Sequence, residues 1–122
     1  MNKIKFSIIW IFIIIILILL PSNNLPSTNL KIKNLDKIVH FLLFGILATI
    51  NFWETKKHNL NIKPYSLIIS AFIFSFLTEI SQLLFTTTRH FDLLDIVADN
   101  VGYICLYLTI TYLYKHKILK IR

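Results

Sequence analysis

Between Tyr65 and Phe85 the chain runs twenty-one residues with a single charge, Glu79, and between Leu93 and Tyr114 it runs twenty-two with two, Asp95 and Asp99. As helices rising 1.5 Å per residue, both blocks reach the ~30 Å of a bilayer's hydrocarbon core. Backbone groups in lipid must be satisfied within the protein, so continuous apolar blocks of this length point to membrane-spanning helices. The acids inside them are a second constraint. A carboxylate in an apolar run costs at least a few kcal/mol unless it binds, pairs or does chemistry. The stretch from Glu79 to Gly102 holds four of the six acidic residues of the protein: Glu79, Asp92, Asp95 and Asp99.

Composition agrees with a membrane protein. In 122 residues 56% are apolar, the mean hydropathy is +0.68, and the length suits one domain over residues 1–122. The net charge of +7 does not indicate nucleic acid, because the lysines and arginines flank the apolar blocks instead of lining an amphipathic face. Cys105 is the only cysteine, which excludes an intrachain disulfide and a multi-cysteine metal centre.

The expected fold is all-α, an integral membrane four-helix bundle with helices at about 6–20, 36–53, 65–85 and 93–114. The first block, broken only by Ser7, is short at ~22 Å of helix. It is expected to stay as a transmembrane helix, since a cleaved signal peptide would need a small-residue site that Pro21-Ser-Asn-Asn-Leu-Pro26 does not supply. Residues 21–35, rich in Asn, Ser and Pro, read as a loop, and Glu54–Lys63 reads as a basic connector before Pro64, which fits a first helical turn.

Polar residues in these blocks fall into register. Asp36 and His40 are spaced i, i+4 at the start of the second helix. Ser75, Thr78, Glu79, Gln82 and Thr86 form one stripe on the third, and Asp92, Asp95, Asp99 and Gly102 share a face of the fourth. A polar stripe on an apolar helix faces protein or water. Alternating four spans places all of these groups in one half of the bilayer. Glu79, Asp95 and His40 are candidate acid/base residues there, and Asp36, Lys37, Gln82, Arg89, Asp92 and Asp99 are candidate binding residues, with Arg89 suited to clamp a phosphate. Gln82 is also a natural interhelical hydrogen-bonding group and Gly102 a close-packing position. The alternative is structural: Lys37, Arg89 and His40 neutralise the acids in a network that fixes the bundle. Enough oxygens are present for Mg²⁺ or Ca²⁺, but no calcium-loop spacing accompanies them, so neither a metal nor a cofactor is assigned.

Together these residues resemble the VanZ-like family of small bacterial membrane proteins. The pattern is Asp-Lys-x-x-His opening one helix (Asp36, Lys37, His40), Glu-x-x-Gln ending the next (Glu79, Gln82), then Arg89 and Asp92 in a turn, and Asp95-x-x-Ala98-Asp99-x-x-Gly102. Thr86-Thr87-Thr88 stands where similar proteins often carry a Pro-Gly turn. The resemblance implies a protein of the bacterial cytoplasmic membrane and cell envelope. The family takes its name from a protein associated with resistance to the glycopeptide teicoplanin, and no particular reaction is implied; the expected partners are membrane lipids or a lipid-linked envelope precursor.

Orientation follows from the basic residues. Lys3, Lys5, Lys56, Lys57, Lys63, Lys115, Lys117, Lys120 and Arg122 lie on one side of the four spans, nine against the four of Lys31, Lys33, Lys37 and Arg89. The nine-residue side is expected to be cytoplasmic, with both termini there and the acidic cluster toward the outer surface. A reporter fused after Arg122 should therefore be active only if it works in the cytoplasm. Activity of an exported-only reporter at that position would reverse the orientation.

Overall fold

The computed structural model describes residues 3–20, 35–87 and 90–121, which form four helices: α1 (Lys5–Leu19), α2 (Leu35–Lys57), α3 (Pro64–Phe85) and α4 (Leu93–Lys115). Three of them, of 23, 22 and 23 residues, are long and apolar enough to cross a membrane, and α1 is a shorter apolar helix. Large apolar side chains stand on the outside, among them Phe12, Ile16, Phe72, Ile73, Leu84 and Leu108. In water such a surface would aggregate, whereas in a bilayer it meets acyl chains. The protein is a multi-pass membrane protein.

Side-chain pairing fixes how the helices run. Lys37 meets Asp95 and His40 meets Asp99, so numbering rises together along α2 and α4 and the two are parallel. Ser75 meets Asp99 while the later Glu79 meets the earlier Asp92, so α3 is antiparallel to α4. The α2–α4 interface is the most extensive. The apolar core is Ile14, Ile18, Leu43, Phe44, Leu47, Ala48, Phe52, Ala71, Tyr103 and Tyr107. The stripe on α3 faces inward as its spacing requires, with Ser75, Thr78, Glu79 and Gln82 all buried.

Helix α2 extends four residues beyond the expected end at Trp53. Glu54, Thr55, Lys56 and Lys57 continue it as ordinary helix residues, and the turn closes at Asn59, whose φ of 49° is the left-handed conformation that Asn tolerates. The hydrogen bond from Leu60 N–H to Thr55 O completes that cap. Lys57 stands 4.3 Å over the Trp53 ring and Lys56 over Phe52 and Tyr114, so the basic charges cover the aromatic end of the bundle.

This extension places Glu54 beside the start of α1. Among the described residues no side chain near its start caps that helix, yet the Glu54 carboxylate accepts from Phe6 N–H at 2.7 Å and Ser7 N–H at 3.3 Å. The Ser7 hydroxyl lies 2.6 Å from Asn51 Oδ1 and 2.5 Å from Glu54 Oε2. Asn51 in turn donates to the Tyr103 hydroxyl at 2.8 Å. At the other end of α1, Gln82 Nε2 donates to the Ile18 carbonyl at 3.1 Å. Side chains of other helices therefore take up two orphan amides at the start of the short helix and one orphan carbonyl near its end.

Gly102 sets the closest approach of α4 to α2. A Cβ there would lie 2.2 Å from the Phe41 carbonyl oxygen, a backbone atom that cannot swing aside. Gly102→Ala should push the helices apart and destabilise the protein by about 1–3 kcal/mol, the usual cost of overpacking. Reversible unfolding in mixed micelles measures it, and an unchanged midpoint would contradict the crossing.

Candidate functional site

The acidic end of the bundle is built from the first turns of α2 and α4 and the last turns of α3. Asp36 and Asp95 each place an acid in a first turn, where the helix dipole favours negative charge. Asp92 is the N-cap of α4, with Oδ1 accepting from Leu94 N–H at 2.8 Å. Its own N–H donates to Glu79 Oε2 at 3.1 Å, and its Oδ2 accepts from Lys37 Nζ at 2.6 Å. This one residue joins α2, α3 and α4.

Behind it lies a more deeply buried set. Lys37 Nζ also donates to Asp95 Oδ1 at 2.8 Å. His40, 1% exposed, has Nδ1 2.9 Å from Asp99 Oδ1, and Asp99 Oδ2 accepts from the Ser75 hydroxyl at 2.6 Å. With Asp99 ionised this carboxylate only accepts, and the matching imidazole tautomer carries its hydrogen on Nδ1. His40 Nε2 faces Asp95 Oδ2 at 3.8 Å, too long for a hydrogen bond. Two buried polar atoms, His40 Nε2 and Glu79 Oε1, have no hydrogen-bonding partner among the described residues. Glu79 is fully buried and lies within electrostatic reach of Asp95, His40 and Asp99. Asp36, His40 and Asp95 each turn a potential ligand atom to within 4.8 Å of the others.

The family profile of VanZ/LLP1 matches residues 3–115. The chain belongs to the VanZ/LLP1 family. Neither a curated protein nor a solved structure matches it. In this VanZ-like chain the three polar motifs read from the sequence converge in space: Asp36, Lys37 and His40 from α2, Glu79 from α3, and Asp92, Asp95 and Asp99 from α4. Gln82 is turned the other way, toward α1, where it caps the helix. Arg89 lies outside the described residues.

Sequence reasoning missed two participants. Ser75 was recognised as part of the stripe but not as the residue that fixes Asp99. Glu54, placed in a connector, is a buried acid serving the opposite end of the bundle. The signal for it was Ser7, the lone polar residue near the start of an apolar block with no capping side chain of its own. Its hydroxyl and amide needed partners from elsewhere in the chain.

The Lys37 ammonium holds the Asp92 carboxyl below the usual carboxylate range, with the Leu94 amide helping. A lowered folded-state pKa adds stability that is present above the unfolded value of about 4 and lost as pH falls through the folded one. Asp92 is partly exposed, so its share is about 0.2–1 kcal/mol. Asp92→Asn keeps the N-cap but removes the charge. The stability difference between wild type and this variant should be full near neutral pH, shrink as pH falls below about 4 and vanish once pH is below the folded-state value. A difference independent of pH would remove the ion pair as its source.

Proposed function

We propose that this VanZ-like protein binds an envelope lipid or lipid-linked precursor at the acidic, outward-facing end of the bundle and acts on its polar headgroup, with Glu79 as the proton donor or acceptor. The carrying observation is Glu79 Oε1, a carboxylate oxygen buried in the core of the site with no partner among the described residues. Its other oxygen is anchored by the Asp92 amide. A fixed carboxyl with one open oxygen is positioned to exchange a proton with a bound group. His40, held by Asp99, and Asp95, held by Lys37, line the same site.

The lipid part of the reading rests on the surface beside the site. An open groove of about 360 Å³ between α2 and α4 runs along Ile38, Phe41, Val97 and Val101, with Lys37 at its head. An acyl or polyprenyl chain in that groove would bring its headgroup to Lys37 and Asp92, the accessible rim of the cluster. Altered glycopeptide susceptibility would then follow from a changed envelope lipid or precursor.

A second reading has its own observation: Lys37 pairs with Asp92 and Asp95 at once, joining α2 to α4 as a purely structural network would. Glu79→Gln separates the two, because Gln keeps an acceptor for the Asp92 amide but cannot exchange a proton. Lipid extracts from cells carrying wild type, the variant or no gene should show a headgroup change only with wild type, with variant and wild type equally abundant in the membrane. An unchanged lipid profile with wild type rejects the lipid reading. Loss of folded Glu79→Gln protein supports the structural one.

A further inference from the structure

His40 Nε2 is the feature of the site that proton transfer through Glu79 leaves unused. The imidazole is 1% exposed and oriented by Asp99 through Nδ1, so Nε2 faces Asp95 Oδ2, 3.8 Å away. That oxygen is the one Lys37 does not take, since the lysine binds Oδ1. Asp36, one helical turn before His40, brings a third donor atom, and all three lie within 4.8 Å of one another.

We propose that Asp36, His40 and Asp95 bind a divalent transition-metal ion, Zn²⁺ or Mn²⁺, with Nε2 as the nitrogen ligand. The proposal extends the site of the proton-transfer reading but rests on different atoms. Two ligands about 2.1 Å from one ion at the tetrahedral angle stand about 3.4 Å apart, so the observed 3.8 Å closes onto an ion with a shift of a few tenths of an ångström. The Asp99 carboxylate behind Nδ1 supplies the second element of a metal-binding histidine, an acceptor that fixes the tautomer and leaves Nε2 as the donor toward metal. One imidazole with two carboxylates favours Zn²⁺ or Mn²⁺, while Mg²⁺ and Ca²⁺ prefer all-oxygen sets.

Charge points the same way. Glu79, Asp95 and Asp99 are buried together, and Lys37 is the one lysine or arginine paired with any of them among the described residues. A dication would offset negative charge that is otherwise costly at this depth. Asp36, on the exposed rim, gives the ion an entry point. With a metal held on the Asp36, His40 and Asp95 side and Glu79 Oε1 open beside it, a headgroup phosphate or hydroxyl would meet both a cation and a proton-exchanging carboxyl.

The test uses the full chain in nanodiscs, stripped with chelator and then titrated with Zn²⁺ and with Mn²⁺ by calorimetry. Wild type should bind one equivalent of at least one of them. Asp36→Asn should weaken binding about tenfold or more and His40→Gln should abolish it, while Glu79→Gln should leave it within about twofold. Thermal melts of the metal-free proteins check that each variant is folded, and if His40→Gln is not, Asp36→Asn carries the decision. Absent binding in wild type, or binding untouched by Asp36→Asn and His40→Gln in folded protein, overturns the proposal. The lipid profile fails independently: a metal-free protein whose Glu79→Gln variant loses the headgroup change sinks the metal and keeps the proton-transfer reading. A metal-binding protein with no effect on lipids does the reverse.

Discussion

The approach of α4 to α2 at Gly102 governs the acidic end of the molecule. Because the Phe41 carbonyl occupies the space a side chain would need, the two backbones come close enough for short side chains to bridge them. Asp95 and Asp99, on stems of one methylene, can reach Lys37 and His40 only across such a gap. The same crossing excludes lipid from between the helices, which raises the cost of any unpaired charge there and the strength of every pair that forms. Asp99 shows the result: it is fully buried, with one oxygen on His40 and the other on Ser75, so α2, α3 and α4 share one carboxylate.

A second polar centre balances the first. At the basic end, Ser7, Asn51, Glu54 and Tyr103 form a connected hydrogen-bonded set among α1, α2 and α4. Its physical task differs. At the acidic end His40 Nε2 and Glu79 Oε1 have no hydrogen-bonding partner among the described residues, whereas at the basic end Glu54 takes up the orphan amides of α1 and Asn51 donates to Tyr103.

Much of this was legible in the sequence, for physical reasons. Helix-length apolar blocks can only be helices in lipid, and polar residues at i, i+3, i+4 and i+7 can only lie on one face, so α3 and α4 and the inward stripe of Ser75, Thr78, Glu79 and Gln82 followed from spacing alone. Convergence of three motifs at one end followed from alternating the spans. The partner of each polar group was not legible, because pairing across helices depends on rotation and tilt that spacing leaves open. Gln82 could equally have turned to Glu79 or to α1, and it turned to α1. The end of α2 was misplaced because Glu-Thr-Lys-Lys looks like a solvated connector, although the same residues are good helix formers and one of them has a buried role.

The dependence of α1 on Glu54 bears on how the protein is assembled. The acceptor for the amides of Phe6 and Ser7 lies 48 and 47 positions later in the chain, so during synthesis those amides meet it only after nearly all of α2 has been made. A first helix of ~22 Å with open amides is a poor lodger in a bilayer by itself. It gains acceptors for those amides only with α2 beside it, so its stability is tied to the second helix. Exchange of α1 for a generic anchor of equal hydropathy would preserve insertion yet leave the Glu54 carboxylate in the core without the amides it accepts from. The first helix is thus an integral component of the bundle, held in its place by the second.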